Sequence, residues 1–196
     1  MPISRRELLR SLGATVVAGS ALCVVPAEAA AYAHRIVSAE KAASPFGGYT
    51  AKFFSAHQYE TLRALCRSII PPDAESGGAL EAGAPEFIDL LTSENKDYQM
   101  HFGDGILWLD STCNDRYGKS YLECTPVQQE EILNLIAFRK NGDKDVQLRP
   151  GIEFFSKLRV LTADGFFTSE VGIKYLGYIG NTYLKEFPGC PAIPES

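Results

Sequence analysis

Between residues 95 and 117 the apolar side chains of Tyr98, Phe102, Ile106, Leu109 and Cys113 follow one another at steps of four, four, three and four positions. Steps of three and four hold side chains on one face of a 3.6-residue helix. A helix of this length with one unbroken stripe needs neighbours to cover it. That requirement commits the chain to helix-on-helix packing around a central element. Gly103 and Gly105 interrupt the same helix at a cost of about 1 kcal/mol each relative to alanine, so a close neighbour is expected in the space they leave. Trp108 falls off the stripe.

The flanking segments obey the same period. In "FFSAHQYETLRALCRSIIPPD", Ser55 and Gln58 form a capping-box pair, Phe54 and Tyr59 stand at staple positions, and Tyr59, Leu62, Leu65, Cys66, Ile69 and Ile70 recur at helical spacing. Pro71 and Pro72 end that helix by removing amide donors. Pro85 opens a short helix whose face is Phe87, Ile88 and Leu91. Thr125 and Gln128 signal another start, with Ile132, Leu135 and Ile136 on one face before Arg139 to Gly142 stop it. "PGIEFFSKLRVLTADG" begins on proline, buries Phe154, Phe155, Leu158 and Leu161, and ends on Gly165. Thr168 or Ser169 then caps an aromatic, glycine-studded stretch. No segment alternates with a period of two, and nothing repeats at a fixed interval. The expectation is an all-α fold, a compact bundle of five or six helices over residues 53–191. It is preceded by a flexible mature amino-terminus at 30–52 and followed by a short tail at 192–196.

The amino-terminus is an address. "SRRELLR" gives a basic region, Leu12 to Pro26 an apolar run, and Ala27-Glu28-Ala29 or Ala31-Tyr32-Ala33 a small-residue cleavage site. The adjacent Arg5 and Arg6, followed by Leu8 and Leu9, make it a twin-arginine signal, the kind that exports cargo already folded. A transmembrane anchor is the alternative, but the glycine-interrupted run falls short of the ~20 residues needed to cross a bilayer. Leu22 before Cys23 is not the small residue that a lipid-attachment site needs. Cleavage after Ala29 is expected, giving a soluble mature chain of about 165 residues, one domain by size.

That cleavage removes three arginines and two glutamates, leaving 16 basic against 22 acidic residues. A net charge of this sign gives no footprint for nucleic acid or an anionic membrane surface. Cys66, Cys113, Cys124 and Cys190 remain, and four thiols in an oxidising compartment invite two disulfides. Three connectivities are open; in one, Cys113 with Cys124 would close a short loop and Cys66 with Cys190 would tie the tail to the body. Cys66 can equally be a small buried apolar side chain.

The chain is poor in motifs that carry chemistry. It has no Cys-x-x-Cys-His for haem attachment and no strand-borne Gly-x-Gly-x-x-Gly for a dinucleotide. His34, His57 and His101 sit in no paired metal motif, and no serine lies in a nucleophile elbow. Asn141, Asp143 and Asp145 alternate like a calcium loop but lack its sixth-position glycine and twelfth-position glutamate, which favours a capping turn. No catalytic, cofactor-binding or metal-binding residue is therefore assigned. The segment from Gly165 to Pro191 is distinctive in another way. Phe166, Phe167, Tyr175, Tyr178, Tyr183 and Phe187, with Asn181 among them, are interleaved with glycines. Such rings either complete a small core or form a partner interface, where aromatics are enriched.

"FFSAHQYETLRALCRSIIPPD", "GAPEFIDLL", "GILWLDSTCNDRYGKSYLECTPVQQEEILNLI", "GFFTSEVGIKYLGYIGN" and "FPGCP" together resemble the gluconate 2-dehydrogenase subunit 3 family over roughly residues 53–191. The resemblance implies a small exported subunit beside a large flavoprotein of the glucose-methanol-choline type, which holds FAD and oxidises a sugar or alcohol. It also implies a cytochrome c subunit carrying haem c as electron acceptor, and no catalytic residues in the small chain. Three functions follow as expectations. The chain escorts and stabilises a signal-less flavoprotein through the twin-arginine translocase; or it docks the flavoprotein to its cytochrome as a relay module; or, with least support, it is a free-standing periplasmic enzyme. The expected location is the periplasm, with any attachment to the inner membrane peripheral and made through the partners.

Overall fold

The computed structural model describes residues 25–44 and 48–180. Among the described residues eight α-helices run in the order α1 (Ala27–Ala43), α2 (Ala56–Ile69), α3 (Ala84–Glu94), α4 (Lys96–Tyr117), α5 (Pro126–Ile136), α6 (Asn141–Lys144), α7 (Arg149–Phe167) and α8 (Glu170–Tyr175). Single 3-10 turns lie at Tyr121–Glu123 and Val146–Leu148. No strand occurs among the described residues, so the all-α expectation holds.

The helix starts follow the capping chemistry of the sequence. The Ser55 side chain accepts from the Gln58 amide at 3.3 Å while the Ser55 amide donates to Gln58 Oε1 at 3.0 Å. Thr125 and Gln128 repeat the exchange for α5, and Asn95 caps α4 by accepting from the amides of Asp97 and Tyr98. Each such cap satisfies amides that the first turn leaves open, contributing about 1 kcal/mol. Gly118, at φ 70°, closes α4 in the left-handed conformation.

At the centre, α7 packs against both α3 and α4. The α4–α7 contact is made through two reciprocal ring-on-glycine seats. Phe154 of α7 lies over Gly105 of α4, and Trp108 of α4 lies over Gly151 of α7; a Cβ at either glycine would stand inside the facing ring. Gly103, by contrast, has only Phe53 Cζ nearby, 3.9 Å from where a Cβ would sit. The expectation of a close neighbour is thus met at Gly105 and corrected at Gly103, where a Cβ would make only an ordinary van der Waals contact.

Helix α3 is buried on every side from Ala84 to Thr92, although the sequence offers only the apolar face of Phe87, Ile88 and Leu91. Two carboxylates go inside with it. Asp89, with no exposed surface, accepts from Tyr49 Oη (2.8 Å) and from the amides of Lys52 (2.7 Å), Phe53 (3.1 Å) and Phe54 (3.2 Å). Glu86 pairs with Lys41 Nζ at 2.6 Å. A buried charge without such partners costs several kcal/mol, so these contacts are what permit α3 to be central.

Where a flexible lead is expected at 30–52 from its Ala, Ser and Gly content, the described residues include a helix. Helix α1 occupies Ala27–Ala43 and buries Ala29, Ala30, Ala33 and Val37 against the body of the protein. Its small side chains let the backbone approach closely, and Lys41 fixes its far end to α3. The expected cleavage point after Ala29 lies within its first turn. Residues 1–24, with Arg5, Arg6, Leu8 and Leu9, lie outside the described residues.

No disulfide is formed among the described residues. Cys66, Cys113 and Cys124 are free, buried thiols. Cys66 has no exposed surface and faces Thr162 Oγ1 at 3.5 Å, and burial pushes its thiol up to about 12. It is the small buried side chain of the alternative reading. Cys113 and Cys124 adjoin as thiols, and burial, then Cys124 itself, raises the Cys113 pKa. Cys190 lies outside the described residues.

Gly105→Ala is expected to lower unfolding free energy by about 1–3 kcal/mol through overpacking, whereas Gly103→Ala on the same helix raises it by up to ~1 kcal/mol through helix propensity. Urea titration of the two variants checks the opposite signs.

Candidate functional site

The corner between α7 and α8 decides where the carboxy-terminal rings point. Ser169, buried, accepts from the Gly172 amide at 3.1 Å and donates its hydroxyl to the Phe166 carbonyl at 2.7 Å. Gly172 sits directly on that carbonyl, where a Cβ would collide with Phe166 O. Glycine is therefore required for α8 to fold back on the end of α7. At the other end of α8, Gly177 (φ 62°) donates to Lys174 O at 3.0 Å and Tyr178 to Ile173 O at 3.2 Å. This is a Schellman closure, which reverses the chain after one short helix.

Phe166 and Phe167 part company at this corner. Phe166 is in the core, 2% exposed, with edge contacts to Phe167 and Tyr175. Phe167, Tyr175 and Tyr178 face outward, and so do Ile173, Leu176 and Ile179, with exposures from 38% at Ile173 to 83% at Ile179. The sequence reading singled out rings and missed the aliphatic members. Their only signal in the sequence is the recurrence of Ile173, Leu176 and Ile179 at three-residue intervals. Asn181, Tyr183 and Phe187 lie outside the described residues. Other exposed apolar side chains include Met100 and Leu107 on α4, Val127 on α5 and Phe138 just after it, and single exposed apolar residues need no special account. At 167–179, by contrast, six exposed apolar side chains fall within thirteen consecutive residues.

The histidines are placed apart in role. His57 Nε2 meets Asp110 Oδ2 at 2.7 Å, while Asp110 Oδ1 accepts from the Tyr121 amide at 2.9 Å, so this pair joins α2, α4 and the 3-10 turn at Tyr121–Glu123. His34 stacks on Phe87 with ring centroids 5.0 Å apart and shares a 2.9 Å hydrogen bond with Thr168 Oγ1. His101 borders a cleft of about 320 Å³ lined also by Asp97, Asp104 and Glu153, and its Nε2 is buried without a partner. Among the described residues no three potential ligands gather to hold a metal ion. Asn141 donates to the carbonyls of Asn134 and Leu135 at the end of α5, and Asp145 accepts from the Gln147 amide, so this acidic alternation serves caps.

A family model described as gluconate 2-dehydrogenase subunit 3 matches residues 56–189. No curated protein and no solved structure matches the chain.

Burial lowers the pKa of both His34 and His101 below the ordinary 6.5. The unfolded chain therefore takes up these protons first as pH falls through 6.5, and stability declines from there until the folded values are passed. The half-buried Asp164 carboxyl, raised by burial, works in the opposite sense at lower pH. Wild-type protein is expected to lose stability between pH 7 and 5.5, and His34→Gln with His101→Gln to flatten that slope, read as urea midpoints at each pH.

Proposed function

Because the chain belongs to the gluconate 2-dehydrogenase subunit 3 family, we propose that it escorts and stabilises the flavoprotein of a periplasmic dehydrogenase complex. The family makes it an accessory subunit of an oxidoreductase complex. The finer reading rests on the exposed apolar surface at 167–179, held in place by Gly172 and Gly177. Covering that surface with the large subunit removes apolar area from water, and a chain that binds only the folded large subunit stabilises it by mass action. In this reading FAD belongs to the large subunit and haem c to a cytochrome subunit, while this chain contributes binding and orientation. Arg5 and Arg6 contribute the export address, read by the twin-arginine translocase, for a pair that folds before it crosses.

The escort role predicts that co-expression of the large subunit with the Arg5→Lys, Arg6→Lys chain leaves periplasmic dehydrogenase activity at least tenfold below that with the unmutated chain. Activity at the unmutated level sinks the escort role. Activity with artificial dyes but not with cytochrome, when this chain is deleted, identifies the docking and relay role instead.

The surface itself is tested by Leu176→Asp with Ile179→Asp. Both residues are exposed, so unfolding of the isolated chain should change by no more than about 0.5 kcal/mol. Affinity for the large subunit should fall by roughly tenfold to a hundredfold, measured by calorimetry on the purified pair.

A further inference from the structure

The peptide bonds that the amino-terminal address offers for cleavage lie inside a packed helix. The Val25 amide donates to Asp164 Oδ2 at 3.0 Å, bridging the start of the described chain to α7. Val25 is 4% exposed, Ala29 3%, and Ala30 and Ala33 not at all. The Ala30 amide donates to Pro26 O at 2.9 Å, and Lys41 with Glu86 holds the other end of α1 on α3. We infer that the Ala29–Ala30 and Ala33–His34 bonds are not hydrolysed in the folded protein, and that Val25–Ala29 is retained as the entry and first turn of α1. This rests on the reading of residues 1–29 as an export address.

Two physical arguments carry it. A protease binds its substrate as extended, accessible chain, so cleavage within a docked helix follows the small population in which that helix has opened. Cargo that folds before export presents the docked helix to the peptidase. Cleavage after Ala29 would also put a charged amino group where the Ala30 amide now sits, at a residue shut off from water. It would take Val25 from the core and its amide from Asp164, a half-buried carboxylate. The product could not keep the first turn of α1 in place. Cleavage after Ala33 would remove Ala29, Ala30 and Ala33 together and free His34 from its helical setting against Phe87 and Thr168.

The test is the intact mass and amino-terminal sequence of the full chain, purified from the periplasmic and membrane fractions through a carboxy-terminal tag. The expected protein begins at or before Val25. A protein beginning at Ala30 or His34 overturns the inference. If the chain is found in the cytoplasm alone, the export reading fails on its own. The structural claim is then decided by thermal unfolding of the full chain against one starting at Ala30. The shorter chain is expected to melt roughly 2–4 °C lower or more, and equal melting temperatures overturn the retention of Val25–Ala29.

Discussion

The close crossing of α4 and α7 is the contact on which the remaining helices are arranged. Two rings and two glycines make it, Phe154 over Gly105 and Trp108 over Gly151, each helix supplying one ring and one seat. Because the seats are reciprocal, neither helix can rotate or slide without driving a ring into backbone. Close-packed interiors tolerate little of that. The crossing fixes the groove into which α3 falls, and α3, buried on all sides, then dictates where α1 and α2 must lie.

Placing α3 at the centre brings two carboxylates inside, and the chain answers with different chemistry for each. Asp89 is surrounded by a phenol and three backbone amides from the segment leading into α2, so its charge is held by short, directed hydrogen bonds. Glu86 meets a lysine that reaches in from α1. Both solutions recruit chain that precedes α2. The core therefore extends beyond the stretch that the family model covers.

Much of this was legible in advance, and the failures have physical causes. The stripe from Tyr98 to Cys113, the capping pairs at Ser55 and Thr125 and the proline stop at Pro71 are local signals, and each yields the expected helix. Helix α1 was hidden because alanines carry no pattern by themselves: Ala29, Ala30 and Ala33 become a packing face only when another helix is there to meet them. Gly103 and Gly105 look alike in sequence, and only the position of Phe154 separates them. At the carboxy-terminal corner the ring-rich composition marks a segment where buried and exposed rings adjoin. It could not sort Phe166, which turns inward, from Phe167, which turns out, since that choice is made by the hydrogen bonds of Ser169 and the bare face of Gly172.

The three consecutive amides that Lys52, Phe53 and Phe54 direct toward Asp89 and its neighbourhood have a mechanical meaning. A pull on the amino-terminal end of the described chain meets Val25 on Asp164 first, then the length of α1, then Lys41 on Glu86, and only afterwards the Asp89 clamp. These anchors lie on α7 and α3, the two helices at the centre. Traction applied through the leading segment thus has to peel each anchor from the middle of the domain in turn before the start of α2 is loaded.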